Sequence, residues 1–175
     1  MIQRLVGSEM CIRDSLGDGL AALLVLILLL VIRLDYGLIS AIGFTLSALT
    51  TQILKRFVFG EVPRPFLVFK DQIDIGQWHL IDGVEMHQFY SFPSGHTTSI
   101  FSICILLSLI INQKKYNYIF FMIALLVGFS RIYLSQHFLM DVFVGSLVGS
   151  MITIFTFLFL RYRLKGFKKY SILRF

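Results

Sequence analysis

Five runs of apolar residues, separated by charged or polar breaks, constrain the fold of this chain more than any other feature. Gly19 to Ile32 reads GLAALLVLILLLVI and stops at Arg33; it is short for a span, and Leu16 to Gly19 extend it into the interface. Gly37 to Leu54 forms a second run, closed by Lys55 and Arg56. A third runs from Thr97 to Ile111 and ends before Lys114 and Lys115, a fourth from Tyr116 to Leu134, and a fifth from His137 to Leu160. Hydrocarbon offers the backbone no hydrogen-bond partners, so runs of this kind are read as helices. The expected fold class is all-α, a polytopic membrane helix bundle with five transmembrane helices.

Composition agrees with that class. Of the 175 residues, 57% are hydrophobic and only 15% charged, which excludes an ordinary soluble globule. A net charge of +6 raises nucleic acid as a partner, but the basic residues gather at the ends of apolar runs and in the tail. They read instead as topology signals whose partners are anionic lipid headgroups, with no nucleic acid involved. Cys104 lies inside a span and Cys11 near the N-terminus, so neither a disulfide nor a metal framework follows.

The first residues read differently from the rest. Leu5 to Ser15, LVGSEMCIRDS, resembles a peptide that recurs when sequencing-adapter DNA is translated with a gene. Residues 1–15 are therefore expected to be a non-native leader and residues 16–175 the membrane-embedded domain. They lack the apolar core and cleavage site of a signal peptide.

Charge distribution sets the expected topology. Arg161, Arg163, Lys165, Lys168, Lys169 and Arg174 follow the last span with no acid among them, and belong in the cytoplasm by the positive-inside rule. The Arg33 and Lys114/Lys115 turns fall on the same side of five alternating spans. Asp18, the 59–92 loop and the Ser130 to His137 turn are then placed together on the opposite, extracytoplasmic face. The loop carries the only tryptophan, five acidic residues and two basic ones, and is too polar to cross a bilayer.

That face collects the chemistry. Ser130 to Asp141 reads SRIYLSQHFLMD. On a helix starting near His137, His137 and Asp141 share one face, so the carboxylate can hold one ring nitrogen as N–H and leave the other with its lone pair. Arg131 can bind an anion through two parallel N–H groups. A histidine and an aspartate at this spacing are often only a surface pair, but ionisable groups at the edge of membrane spans are costly and mark function. Phe92 to Thr98 reads FPSGHTT at the mouth of the third run. There Ser94 offers a hydroxyl, Gly95 an approachable backbone N–H, and His96 a general acid. Lys55, Arg56 and Arg64, the last flanked by Pro63 and Pro65, add cations that could surround phosphoryl oxygens. No carboxylate cluster suited to a metal is present, and no cofactor is expected.

At these residues the chain resembles the type 2 phosphatidic acid phosphatase superfamily, which also contains vanadium haloperoxidases and bacterial acid phosphatases. The family pattern is a lysine shortly before Arg-Pro, then Pro-Ser-Gly-His, then Ser-Arg with His and Asp at fixed intervals. Pro93 to His96 and Ser130, Arg131, His137 and Asp141 keep the spacing unaltered. The first block departs: eight residues separate Lys55 from Arg64 where six are usual, which leaves Lys55 or Arg56 for the lysine role, with Lys55 favoured. Membrane members of the family have six helices, so the resemblance implies one more helix before the five seen here.

The resemblance also implies roles. His137 would attack phosphorus and form a phosphohistidine, Asp141 would orient it, and His96 would protonate the leaving oxygen and later activate water. Lys55, Arg64, Ser94, Gly95 and Arg131 would hold the phosphoryl oxygens. The expected function is metal-independent hydrolysis of a lipid phosphomonoester or isoprenyl pyrophosphate at the extracytoplasmic face of a bacterial cytoplasmic membrane. The alternative is a non-catalytic membrane binding or scaffold protein that keeps the fold; a vanadate-dependent haloperoxidase is a third reading. Phosphatidic acid, phosphatidylglycerol phosphate, undecaprenyl pyrophosphate and a lipid A phosphate all suit the site. Specificity is expected in the aromatic loop, where Trp78, His79, His87 and Tyr90 are either interfacial anchors or substrate contacts.

Overall fold

The computed structural model of the chain describes residues 19–77, 80 and 86–163. The leader, Asp18, Trp78, His79 and the tail beyond Arg163 lie outside them. The elements are α1 (Gly19–Ile32), α2 (Leu34–Ile53), a π-helical turn (Leu54–Val58), α3 (Pro65–Val68), α4 (Lys70–Asp74), α5 (Gly95–Ile111), α6 (Lys114–Tyr133) and α7 (Leu139–Arg163). No strand occurs among the described residues. The chain is an all-α, multi-pass membrane protein.

Each of the five apolar runs is one long helix. Leu34–Val58, Lys114–Tyr133 and Leu139–Arg163 are long and apolar enough to span a membrane, while α1 and α5 are shorter at 14 and 17 residues. Local chemistry explains the boundaries. Arg33 breaks α1 from α2, its guanidinium bonded to Asp35 and stacked 4.1 Å over the Tyr36 ring. Ser94 caps α5, its Oγ accepting from the Thr97 amide at 3.4 Å. That helix ends at Asn112, whose left-handed φ of 51° returns its N–H to the Ser108 carbonyl.

Helix α5 is the centre of the bundle, packed against α2, α6 and α7. Two glycines on α7 bring it against α5. A Cβ on Gly145 would stand 2.6 Å from the Ser94 carbonyl oxygen, and one on Gly149 2.3 Å from that of Thr98. Small residues four apart are how membrane helices gain contact when lipid tails remove the hydrophobic drive to associate. Ser102 on α5 adds hydrogen bonds to both neighbours, to Ser47 Oγ on α2 at 3.1 Å and to the Gly149 carbonyl on α7 at 3.3 Å.

Apolar clusters fill the remaining seams. Ile100, Phe101 and Cys104 pack on Ala124 and Val127 between α5 and α6, and Leu29, Ile39, Leu106 and Phe157 join α1, α2, α5 and α7. Outward faces carry large exposed apolar residues such as Leu126, Met151 and Phe155, as lipid contact requires. The C-terminal ends of α2 and α6 and the N-terminal ends of α1, α5 and α7 meet at one end of the bundle, around a shared cavity. Arg33, Lys114 and Lys115, and Arg161 with Arg163 mark the other end.

Candidate active site

The site is built first on the turn that joins α6 to α7. Past Tyr133 the chain folds back on itself. Leu134 N–H donates to the Ser130 carbonyl, and the amides of Gln136 and His137 both donate to the Arg131 carbonyl, at 3.1 and 3.3 Å. Ser135 takes the left-handed conformation, φ 55°, to make that reversal. His137 therefore stands in the turn, not on the helix that was expected to start near it. The reason is Asp141: its Oδ2 accepts the Phe138 amide at 2.9 Å, which fixes the helix start after His137. The two side chains still meet, with His137 Nδ1 3.3 Å from Asp141 Oδ2 and only 1% and 4% of each exposed.

Asp141 is held by more than its histidine. Ser91 Oγ donates to the same Oδ2, and the Ser94 amide donates to the Asp141 backbone carbonyl. With Nδ1 facing a carboxylate, Nδ1 is the protonated nitrogen and Nε2 keeps the lone pair. Burial pushes the His137 pKa down to about 4; the Asp141 bond opposes this, and the charges of Arg64 and Lys55 add to it. The lowered pKa favours the neutral ring at pH 7.

The second block sits on the first turn of α5. Gly95 opens the helix and His96 follows it. A Cβ on Gly95 would meet nothing within 4 Å, so the space beside its backbone is open. Ser94 is fully buried and does not line the cavity; its Oγ accepts from the Thr97 amide and from Thr97 Oγ1 at 2.9 Å. The hydroxyl expected to face phosphate instead serves as a cap behind the cavity wall.

The first block begins on a turn that closes the second run. Leu54–Val58 winds as a π-helical turn, and Gly60 after it takes a positive φ of 67°. Lys55 lines the cavity, whereas Arg56 is exposed and does not. Arg64 is tied to the segment before the second block. Its amide donates to the Gln88 carbonyl at 2.8 Å, its Nε to the Phe89 carbonyl at 3.1 Å, and the Ser91 amide returns to Val62 at 3.0 Å. Burial holds the Arg64 pKa below the ordinary guanidinium value; Asp141 offsets this in part and Arg131 adds to it.

These elements enclose a cavity of about 530 Å³ lined by Lys55, Arg64, Gly95, His96, Arg131 and His137, together with Thr51, Gln52, His87 and Gln136. Asp141 stands behind His137, and Arg131, 1% exposed, is braced by Gln136 Oε1 at 3.3 Å. His87 is thus at the cavity, while Tyr90 reaches Glu61 at 3.4 Å. No group of three or more His, Cys, Asp or Glu side chains at metal-binding spacing occurs among the described residues. Ser91 and Gln136 were not anticipated. Gln136 adjoins a motif residue and was readable as a neighbour; Ser91 reaches Asp141 across 50 positions and left no local signal.

The chain is 37% identical over 68 residues to the lipid A 4'-phosphatase of Porphyromonas gingivalis, covering 39% of this chain and 29% of that protein. It is 34% identical over 112 residues to the undecaprenyl-diphosphatase BcrC of Bacillus subtilis, covering 64% and 51%. The matches thus span about half or less of the length of these curated relatives. Among solved structures, LpxE from Aquifex aeolicus superposes with a TM-score of 0.72 at 30% identity, over 87% of this chain and 85% of that one. Residues 36–165, which contain every block described above, match the model of the PAP2 superfamily, and the chain belongs to that family.

Proposed function

We propose that this protein hydrolyses a lipid phosphomonoester or an isoprenyl pyrophosphate through a phosphohistidine on His137, without a metal. The observation that carries this reading is the convergence of Lys55, Arg64 and Arg131 with His96 and His137 on one cavity. Three cations and the Gly95 amide surround the phosphoryl oxygens and stabilise the charge that builds on them in transfer. His137 Nε2 attacks phosphorus while His96 gives its proton to the leaving oxygen. Water then attacks the phosphohistidine, its proton passes to His96, and the P–N bond breaks with its electron pair returning to Nε2. Ser94 contributes by capping the helix that presents Gly95 and His96.

A lipid substrate suits the surroundings. An apolar groove of about 290 Å³ between α1, α2 and α5 adjoins the charged cavity, sharing Gly19, Ala48 and Ser99 with it. An acyl or isoprenyl tail lies there while the headgroup reaches the cations. The basic ends opposite the site support, by the positive-inside rule, a cavity on the extracytoplasmic face of a bacterial cytoplasmic membrane. The relatives named for lipid A and undecaprenyl diphosphate support a substrate of this class.

The test is phosphate release from a panel of lipid phosphates and pyrophosphates in detergent with EDTA, comparing the chain with His137→Ala. Release that vanishes in the variant is expected. Release dependent on added magnesium, or equal in the two proteins, defeats the reading.

A further inference from the structure

We propose that Ser91 is a positioning residue that sets how fast the phosphohistidine is hydrolysed, by sharing one Asp141 oxygen with the His137 ring. The proposal rests on the phosphohistidine reading above. Asp141 Oδ2 accepts three donors: Phe138 N–H, His137 Nδ1–H and Ser91 Oγ–H. The first belongs to the start of α7 and the second to catalysis. Ser91 serves neither purpose directly, because it is fully buried and does not line the cavity. Its backbone is fixed by the bond from its amide to Val62, beside Arg64, so the hydroxyl is held against the carboxylate by the same segment that holds the substrate cation.

The consequence follows from where one proton stands. When Nε2 takes the phosphoryl group, the P–O bond to the leaving group breaks, and the ring is left cationic with its Nδ1–H aimed at Asp141. Breaking the P–N bond afterwards returns an electron pair to Nε2, and a cationic ring leaves far more readily than one whose Nδ1 proton has passed to the carboxylate. The Ser91 hydroxyl draws charge from Oδ2, so the proton stays on the ring. Without it the carboxylate competes for that proton, and the phosphorylated ring becomes neutral and persistent. Ser91 thus acts on the second half of the reaction through Asp141.

The experiment traps the intermediate. The full chain in detergent is turned over with radiolabelled phosphatidic acid and, in parallel, undecaprenyl pyrophosphate labelled at the terminal phosphate. It is then quenched in alkali, where phosphohistidine survives, and the acid-labile protein-bound label is counted. Relative to the unaltered protein, Ser91→Ala should carry several times more label at steady state, with kcat and KM lowered together by roughly tenfold and kcat/KM little changed, the size of effect expected from one lost charge-assisted hydrogen bond. Equal label in the two proteins, or label and turnover lost together, overturns the proposal. Absence of label in the unaltered protein while His137-dependent release continues defeats the phosphohistidine reading, and this inference with it. Should Ser91→Ala not fold, Ser91→Cys keeps a weak donor at similar volume and is expected to show the same accumulation in smaller degree.

Discussion

The Ser94 amide donates to the Asp141 carbonyl at 3.0 Å, tying the start of α5, which carries His96, to the first turn of α7, just past the turn that carries His137. The separation of His96 from His137 is therefore set by helix packing, and Gly145 lies directly beneath the tie. A methyl group there would stand 2.6 Å from the Ser94 carbonyl oxygen, which is backbone and cannot swing aside. Gly145→Ala should lower stability by about 1–3 kcal/mol, the usual range for overpacking, and reduce phosphate release by at least about tenfold. Gly43→Ala is the control, since its Cβ meets nothing nearer than Thr156 Cγ2 at 3.8 Å. Melting in detergent and phosphate release, measured on both variants, check the pair.

Asp141→Asn keeps the shape of the side chain but removes the charge that holds Nδ1 protonated and stabilises the ring once it is cationic. Phosphate release should fall by roughly 10²–10⁴-fold, the scale seen when a histidine loses its orienting carboxylate. Binding of orthovanadate at the cationic side chains should survive, because Lys55, Arg64 and Arg131 are untouched. Loss of inhibitor binding in parallel with activity would show instead that the turn itself had collapsed.

Lys55 and Arg56 are neighbours with opposite situations: one lines the cavity from within the π-helical turn, and the other is exposed. Lys55→Ala should reduce kcat/KM by about 10²-fold, as removal of one preorganised charge partner does. Arg56→Ala should stay within roughly twofold, in keeping with the small energy of an exposed charge. Steady-state kinetics on the two variants decide the assignment, and a larger effect at Arg56 would reverse it.

Much of this was legible in the sequence. Apolar runs translate directly into helices because the bilayer leaves the backbone no other choice, so the first run was placed to the residue at its Ile32 end and the other four helices to within a few residues. The motif residues were legible by type and spacing. What the spacing could not show is how separate segments close on each other. Ser91 and Val62 meet through the fold, a π-helical turn and a left-handed glycine stand between the second run and Arg64, and Asp141 starts its helix after His137. The Gly145 and Gly149 pair was present as a small-residue repeat, but only the packed helices show that α5 is the surface it meets.

Ser135 is a non-glycine residue at φ 55°, buried in the turn between Arg131 and His137. A Cβ in that region costs about 1 kcal/mol, offset in part by the greater freedom glycine has when unfolded. Ser135→Gly should therefore raise stability by about 0.5 kcal/mol while leaving phosphate release near its original level. A destabilised variant would mean that the Ser135 side chain contributes more than its backbone costs.

The His137 ring supplies a prediction about pH whose sign is fixed by burial. Its folded pKa of about 4 lies below the ordinary value near 6.5, so between those limits the unfolded chain binds more protons than the folded one. Stability from this group is complete above about pH 6.5 and is lost as pH falls towards 4, by about 3 kcal/mol in total. His137→Gln cannot take up that proton, and its stability should decline less steeply over the same interval. Thermal melting of both proteins in detergent from pH 4 to 7 reads the difference directly. Parallel curves would mean that the imidazole is already protonated in the folded state, which would remove the lone pair that nucleophilic attack by Nε2 requires.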